Sequence, residues 1–76
     1  MHPYSLTIPE EHAGKTLAEL IASLQNTDDF KSRLGLFEKT MVIVSLDDKI
    51  IVYPAFSKTL VRAGQTLYIF PLVSGG

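Results

Sequence analysis

The sequence predicts an α+β domain, a small mixed sheet carrying one main helix on one face and a short second helix beside it. Three observations lead there. Leu17, Leu20, Ile21 and Leu24 recur at i, i+3, i+4 and i+7, the spacing of one helical stripe. Met41-Val42-Ile43-Val44-Ser45-Leu46 is an apolar, β-branched run of strand length. Leu67 and Ile69 alternate with Thr66, Tyr68 and Phe70, the period of a strand with one buried face.

Taken in order, Tyr4 to Ile8 reads as a short strand, which Pro9 ends because it lacks a ladder donor. Glu10 to Lys15 is a polar loop in which Gly14 supplies an unusual backbone angle. Thr16-Leu17-Ala18-Glu19 fits a capping box, with the threonine hydroxyl and the glutamate carboxylate satisfying backbone amides reciprocally. The helix that starts there ends at Gln25-Asn26. Thr27-Asp28-Asp29 opens a second helix with acids at the positive end of its dipole, and Phe30 and Leu34 share a face before Gly35. Its expected range is about Asp28 to Leu34.

Met41 to Leu46 is apolar at nearly every position and is expected as a central strand covered on both faces. Asp47-Asp48 turns the chain into a strand from Lys49 to Tyr53, ended by Pro54. Val52 to Ser57 is irregular, with a tight helical turn near Phe56. Ala63-Gly64 turns into the last strand, Gln65 to Phe70, which Pro71 closes. With 76 residues, one domain over 1–76 is expected, ending in a flexible tail at 71–76.

Composition narrows the function. An apolar share of 46% is too high for a disordered chain, and at this length nearly all of it must serve the core. Little is left to line a deep enzyme pocket, which favours a binding or carrier role. Seven basic against eight acidic side chains make no footprint for nucleic acid or an anionic membrane. The chain has no cysteine, so thiol catalysis, disulfides and cysteine-zinc sites are excluded. The first residues lack a signal-peptide pattern, and the apolar run at Met41 to Leu46 is far too short to span a bilayer. A cytoplasmic location is expected.

Most candidate chemistry has a plainer explanation. His2 and His12 lie at the chain start and in a polar loop, where a solvated surface histidine is the better reading than a catalyst or a ligand with Glu10 and Glu11. Asp47-Asp48 is accounted for by a turn. Gly14-Lys15-Thr16 lacks the earlier glycine of a phosphate loop and reads as loop plus helix cap. Tyr4, Tyr53 and Tyr68 lack the basic surround of a base-stacking platform.

Gly75-Gly76 is different. Glycines after a strand contribute no packing and cost chain entropy to order. Their functional reading is a terminal carboxylate that enters a narrow channel of another protein, where only residues without a Cβ let the backbone lie flat. The plain alternative is an accidental flexible end.

Together with their context these residues resemble the ubiquitin-like sulfur-carrier family, whose members include the thiamine-pathway carrier and the small subunit of molybdopterin synthase. Ala13-Gly14-Lys15-Thr16-Leu17-Ala18-Glu19-Leu20 is similar to the family's loop into its first helix. Arg62 through Gly76 is similar to its glycine turn, last strand and Pro-x-Val-small-Gly-Gly tail. Phe70-Pro71-Leu72-Val73 brings the tail nearer to the molybdopterin synthase small subunit. The resemblance implies a ubiquitin-like β-grasp fold and a carrier, not an enzyme.

It further implies that an ATP-dependent activating enzyme adenylates the carboxylate of Gly76, the reactive residue, and that a sulfur donor converts it to a thiocarboxylate. An acceptor synthase then takes the sulfur for cofactor biosynthesis, molybdopterin first and thiamine or another pathway second. No cofactor is bound by the carrier itself; ATP is used by the activating enzyme. Phe70, Pro71, Leu72, Val73, Ser74 and Gly75 are the expected partner-binding residues, Gly75 as a spacer and Pro71 to Ser74 as the lead into the channel. The free chain is expected as a monomer or weak dimer.

The chain departs from the family in three places. Gly64-Gln65 stands for Gly-Asp, and Asp47-Asp48 stands for an Asn-Gly-type hairpin turn. The family opens on a two-stranded hairpin, whereas Tyr4 to Ile8 offers one strand, so a truncated opening hairpin is expected. A missing central strand would leave the edge of the last strand open for a dimer to fill. Two other functions stay open at this point: a ubiquitin-like protein modifier joined through Gly76 to target lysines, and a non-covalent β-grasp interaction module.

Overall fold

The computed structural model describes residues 3–34 and 42–71. Strand β1 is Tyr4–Thr7, α1 is Leu17–Leu24, α2 is Asp28–Leu34, β2 is Val42–Leu46, β3 is Lys49–Ile51 and β4 is Thr66–Pro71. The polar loop after Pro9 contains one 3-10 turn, Glu10–His12, and the irregular stretch after β3 is a longer one, Tyr53–Lys58. The expected strand reaching Tyr53 therefore stops at Ile51, two residues earlier. Pro54 near the start of the 3-10 segment fits a helical first turn, where its missing donor costs nothing.

The capping box at α1 is complete. Thr16 N donates to Glu19 Oε1 at 2.8 Å, and Glu19 N donates to Thr16 Oγ1 at 3.1 Å. The loop at 59–64 is laced to this start: Leu17 N donates to Thr59 O at 2.7 Å, and Gly14 and Val61 are joined at 2.9 Å. Gly14 and Gly64 both hold φ +88, with open space where a Cβ would stand, so backbone conformation and not crowding selects glycine there.

Sheet order is β1-β4-β2-β3. All three ladders among the described residues are antiparallel, where a mixed sheet is expected from the sequence. The reason is direction. In a hairpin the two strands run oppositely, so if the second is antiparallel to β4 the first is parallel to it. Among the described residues a single strand precedes α1, and it runs in the second strand's direction while lying directly against β4. The last strand's edge is thus closed by β1 itself, and the open edge expected beside β4 is moved one strand outward, to β1.

Both helices lie on one face. Leu17, Leu20, Ile21 and Leu24 of α1, with Phe30 and Leu34 of α2, pack into one core with Leu67, Ile69, Val44, Leu46, Tyr4 and Ile8. Tyr4 meets Phe30 with ring centroids 5.0 Å apart. Burial, then the nearby Asp29 carboxylate, pushes the Tyr4 phenol up from its ordinary value. The architecture is α+β, a ubiquitin-like β-grasp in which one strand of the described residues precedes α1. Strand β2 lies inside the sheet as expected, but only one of its faces is covered; Ile43 is exposed on the other.

Candidate functional site

Strand β4 sends its alternate side chains to opposite fates. Leu67 and Ile69 are fully buried, while Tyr68 and Phe70 are 37% and 39% exposed. Register extends the exposed side across the sheet. Ile43 lies opposite Phe70, Ser45 and Ser5 flank Tyr68, and Ile50 lies beyond Ser45 at 67% exposure. The Tyr68 and Phe70 rings stack with centroids 5.8 Å apart and planes 17° apart. Alternation puts no charged side chain of the described strands on this face, only hydroxyl and apolar groups. Such a patch, apolar at its centre and bordered by hydroxyls, has the make-up of a protein-binding surface.

Of the expected partner-binding residues, Phe70 stands in this patch. Pro71 does not begin a tail: it is the last residue of β4, half-buried opposite Val42. Its ring is tolerated because backbone groups of the odd β4 residues face β1, and β1 starts at Tyr4, opposite Ile69. Leu72, Val73, Ser74, Gly75 and Gly76 lie outside the described residues, as do Gly35 and Met41. Tyr68, Ile43 and Ile50 are members of the patch that lie outside the expected partner-binding set. In a run apolar at every position, alternation has nothing to report, so the exposed member of Val42-Ile43-Val44 cannot be picked out.

The other candidates resolve into structural parts. Lys15 Nζ lies 3.0 Å from His12 Nδ1, tying the histidine into its own loop. Among the described residues no group of three or more His, Asp or Glu could hold a metal ion. Asp47 and Asp48 hold φ 49 and 67, the left-handed pair of a two-residue hairpin turn. Asp47 Oδ1 also accepts from Thr66 N at 2.9 Å, which locks the turn to the start of β4. Tyr4 belongs to the core, and Tyr53 packs edge-on against Phe56 at 5.6 Å. No helix of the described residues is long and apolar enough to cross a membrane.

What the described residues present is a sheet face whose last strand, β4, ends at Pro71, five residues before Gly76 in the sequence. No curated protein and no solved structure matches the chain. A family model, that of the ThiS family, does match, over residues 5–76. That range begins inside β1, takes in every later element and runs through the final glycine. The chain belongs to the ThiS family and is a small sulfur-carrier protein of that kind.

Proposed function

We propose that the chain serves as a co-substrate whose working group is the carboxylate of Gly76. An ATP-dependent activating enzyme joins that carboxylate to AMP with release of pyrophosphate. A sulfide-level sulfur from a donor protein then attacks the acyl carbon and expels AMP, leaving a thiocarboxylate. The acceptor synthase takes this sulfur into a cofactor precursor, and hydrolysis returns the carboxylate. One observation carries the reading: the family match includes Gly75-Gly76 and does not stop at β4. The absence of cysteine supports it, since no side chain offers a thiolate to carry sulfur in its place.

In this reading Phe70, with Tyr68, Ile43 and Ile50, docks on both enzymes, while Leu72 to Gly75 thread toward the active site. Molybdopterin synthesis is the favoured destination, on the strength of Phe70-Pro71-Leu72-Val73. Intact-mass measurement after incubation with the activating enzyme, ATP and a sulfur source tests the carrier step. A gain of about 16 Da, oxygen replaced by sulfur, is expected. Adducts on target lysines in its place would assign a protein modifier instead. Deleting Gly76 should abolish sulfur transfer, and full function without Gly75-Gly76 would leave only a non-covalent module. Reconstitution with a molybdopterin-type and a thiamine-type synthase separates the two destinations.

A further inference from the structure

The two edges of the sheet are built differently. Strand β3 is three residues long and starts with the exposed Lys49, which is how an edge is kept from pairing. Strand β1 carries no charge anywhere between Pro3 and Pro9. Its hydrogen-bonding direction is determined from both sides. Ile8 N donates to Gln65 O at 2.8 Å, so Ile8, and by alternation Leu6 and Tyr4, turn their backbone groups toward β4. On β4, Thr66 O accepts from Asp47 N at 3.0 Å, so the even residues face β2 and the odd ones face β1, in agreement. The N–H and C=O of Ser5 and Thr7 therefore point out from the sheet, with no strand beside them among the described residues.

We propose that this edge pairs antiparallel with the same edge of a second copy, with Leu6 facing Leu6 of the other chain on the two-fold axis. In that register Ser5 of each copy lies opposite Thr7 of the other, and every outward donor and acceptor of these two residues is used. Pro3 and Pro9 are placed symmetrically about Leu6, so the residues that lack a donor face each other and bound the ladder at both ends. A register shifted either way pairs Ser5 or Thr7 with itself and leaves outward groups of the other unmatched. Leu6, half-buried at the margin of the core, gains cover from its counterpart. The small and hydroxyl side chains of Ser5 and Thr7 raise no charge barrier, and a net charge of −1 per copy adds little repulsion.

Two four-stranded sheets become one of eight strands, with the Tyr68–Phe70 faces on the same side. Pro71 lies at the Tyr4 end of each sheet, so the two β4 ends point to opposite extremities of the dimer and neither blocks the other. A contact of this size is weak, with a dissociation constant on the order of 0.1–1 mM.

Sedimentation equilibrium and amide exchange on the full chain test the proposal. The mass should rise from 8.4 kDa toward twice that value as concentration approaches about 1 mM. Ser5 and Thr7 amides should gain protection with concentration, while the Leu6 amide, already bonded to β4, should not change. Thr7→Pro removes an outward donor without touching the β4 ladder and should abolish dimerisation, with an unchanged amide spectrum elsewhere showing that it folds. Charges read the register: Ser5→Lys with Thr7→Lys should prevent association. Ser5→Lys with Thr7→Glu should tighten it by roughly two- to thirty-fold, through two opposed pairs. A chain that stays monomeric at about 1 mM overturns the proposal, as does a dimer that ignores these substitutions or that maps to Tyr68 and Phe70.

Discussion

On β4, Leu67 and Ile69 are fully buried while Tyr68 and Phe70, their immediate neighbours, stay exposed on the opposite face. The same contrast holds on β2, where Val44 is buried and Ile43 is 38% exposed. Large apolar side chains alone do not separate the two faces, since both carry them. Cover does. Both helices lie on one side of the sheet, and among the described residues no helix covers the other. The inner face thus holds the fold together, and the outer face leaves its apolar side chains exposed.

The largest effect that would break this contrast lies on the inner face. Leu67→Ala leaves a cavity under α1 and should cost about 2–5 kcal/mol. At about 4–8 °C per kcal/mol for a domain this small, thermal melting should register a large fall or complete unfolding. Thr16→Ala loosens the helix that covers this face by removing the hydroxyl half of the capping box, and should cost about 1 kcal/mol. The same box carries a pH dependence. Hydrogen bonds from the Thr16 backbone hold the Glu19 carboxyl below its ordinary value of 4.5. Its stabilisation is complete above 4.5 and is lost as pH falls through the lower value of the folded state. Acid titration of wild type and Thr16→Ala should therefore show the shallower acid slope in the variant.

Asp48→Gly sharpens the contrast from the turn. Asp48 sits at φ 67, where glycine is unstrained, so this substitution should stabilise by up to about 1 kcal/mol in urea melts. The turn matters to both faces because a slip of one residue in β2 would exchange Val44 with Ile43. Smallest in stability is Phe70→Ala, expected within about 0.5 kcal/mol of wild type. It should nonetheless weaken binding to the activating enzyme at least several-fold in titration calorimetry. If Phe70→Ala destabilised the fold as much as Leu67→Ala, the division of labour between the faces would be wrong.

Elements with a local cause could be read from the chain. The range of α2 and the start of α1 follow from Thr16, Glu19, Asp28 and Asp29, whose side chains act within one turn of their own backbone. The hairpin at Asp47-Asp48 follows in the same way, since two left-handed residues suffice to reverse a strand. Of the candidate site, Phe70 was legible through its alternation with Ile69, and Gly75-Gly76 through its resemblance to a known tail. Ile43 and Ile50 were not legible, because Ile43 joins the patch only by pairing with the distant Phe70, and Ile50 only through Ser45, whose own partner is the distant Tyr68.

By itself, then, the sequence determined the two helices and the turns, which are consequences of groups close together along the chain, and it excluded thiol chemistry by holding no cysteine. Tertiary structure alone decided which strand lies beside β4, in which direction, and which side of the sheet stays open. Strand pairing is non-local: Tyr4 meets Ile69 across nearly the whole chain, and no neighbour in sequence tells it whether one strand or two will precede the helix. Because β1 pairs antiparallel with β4 at the margin of the described sheet, the open edge falls on Ser5 and Thr7.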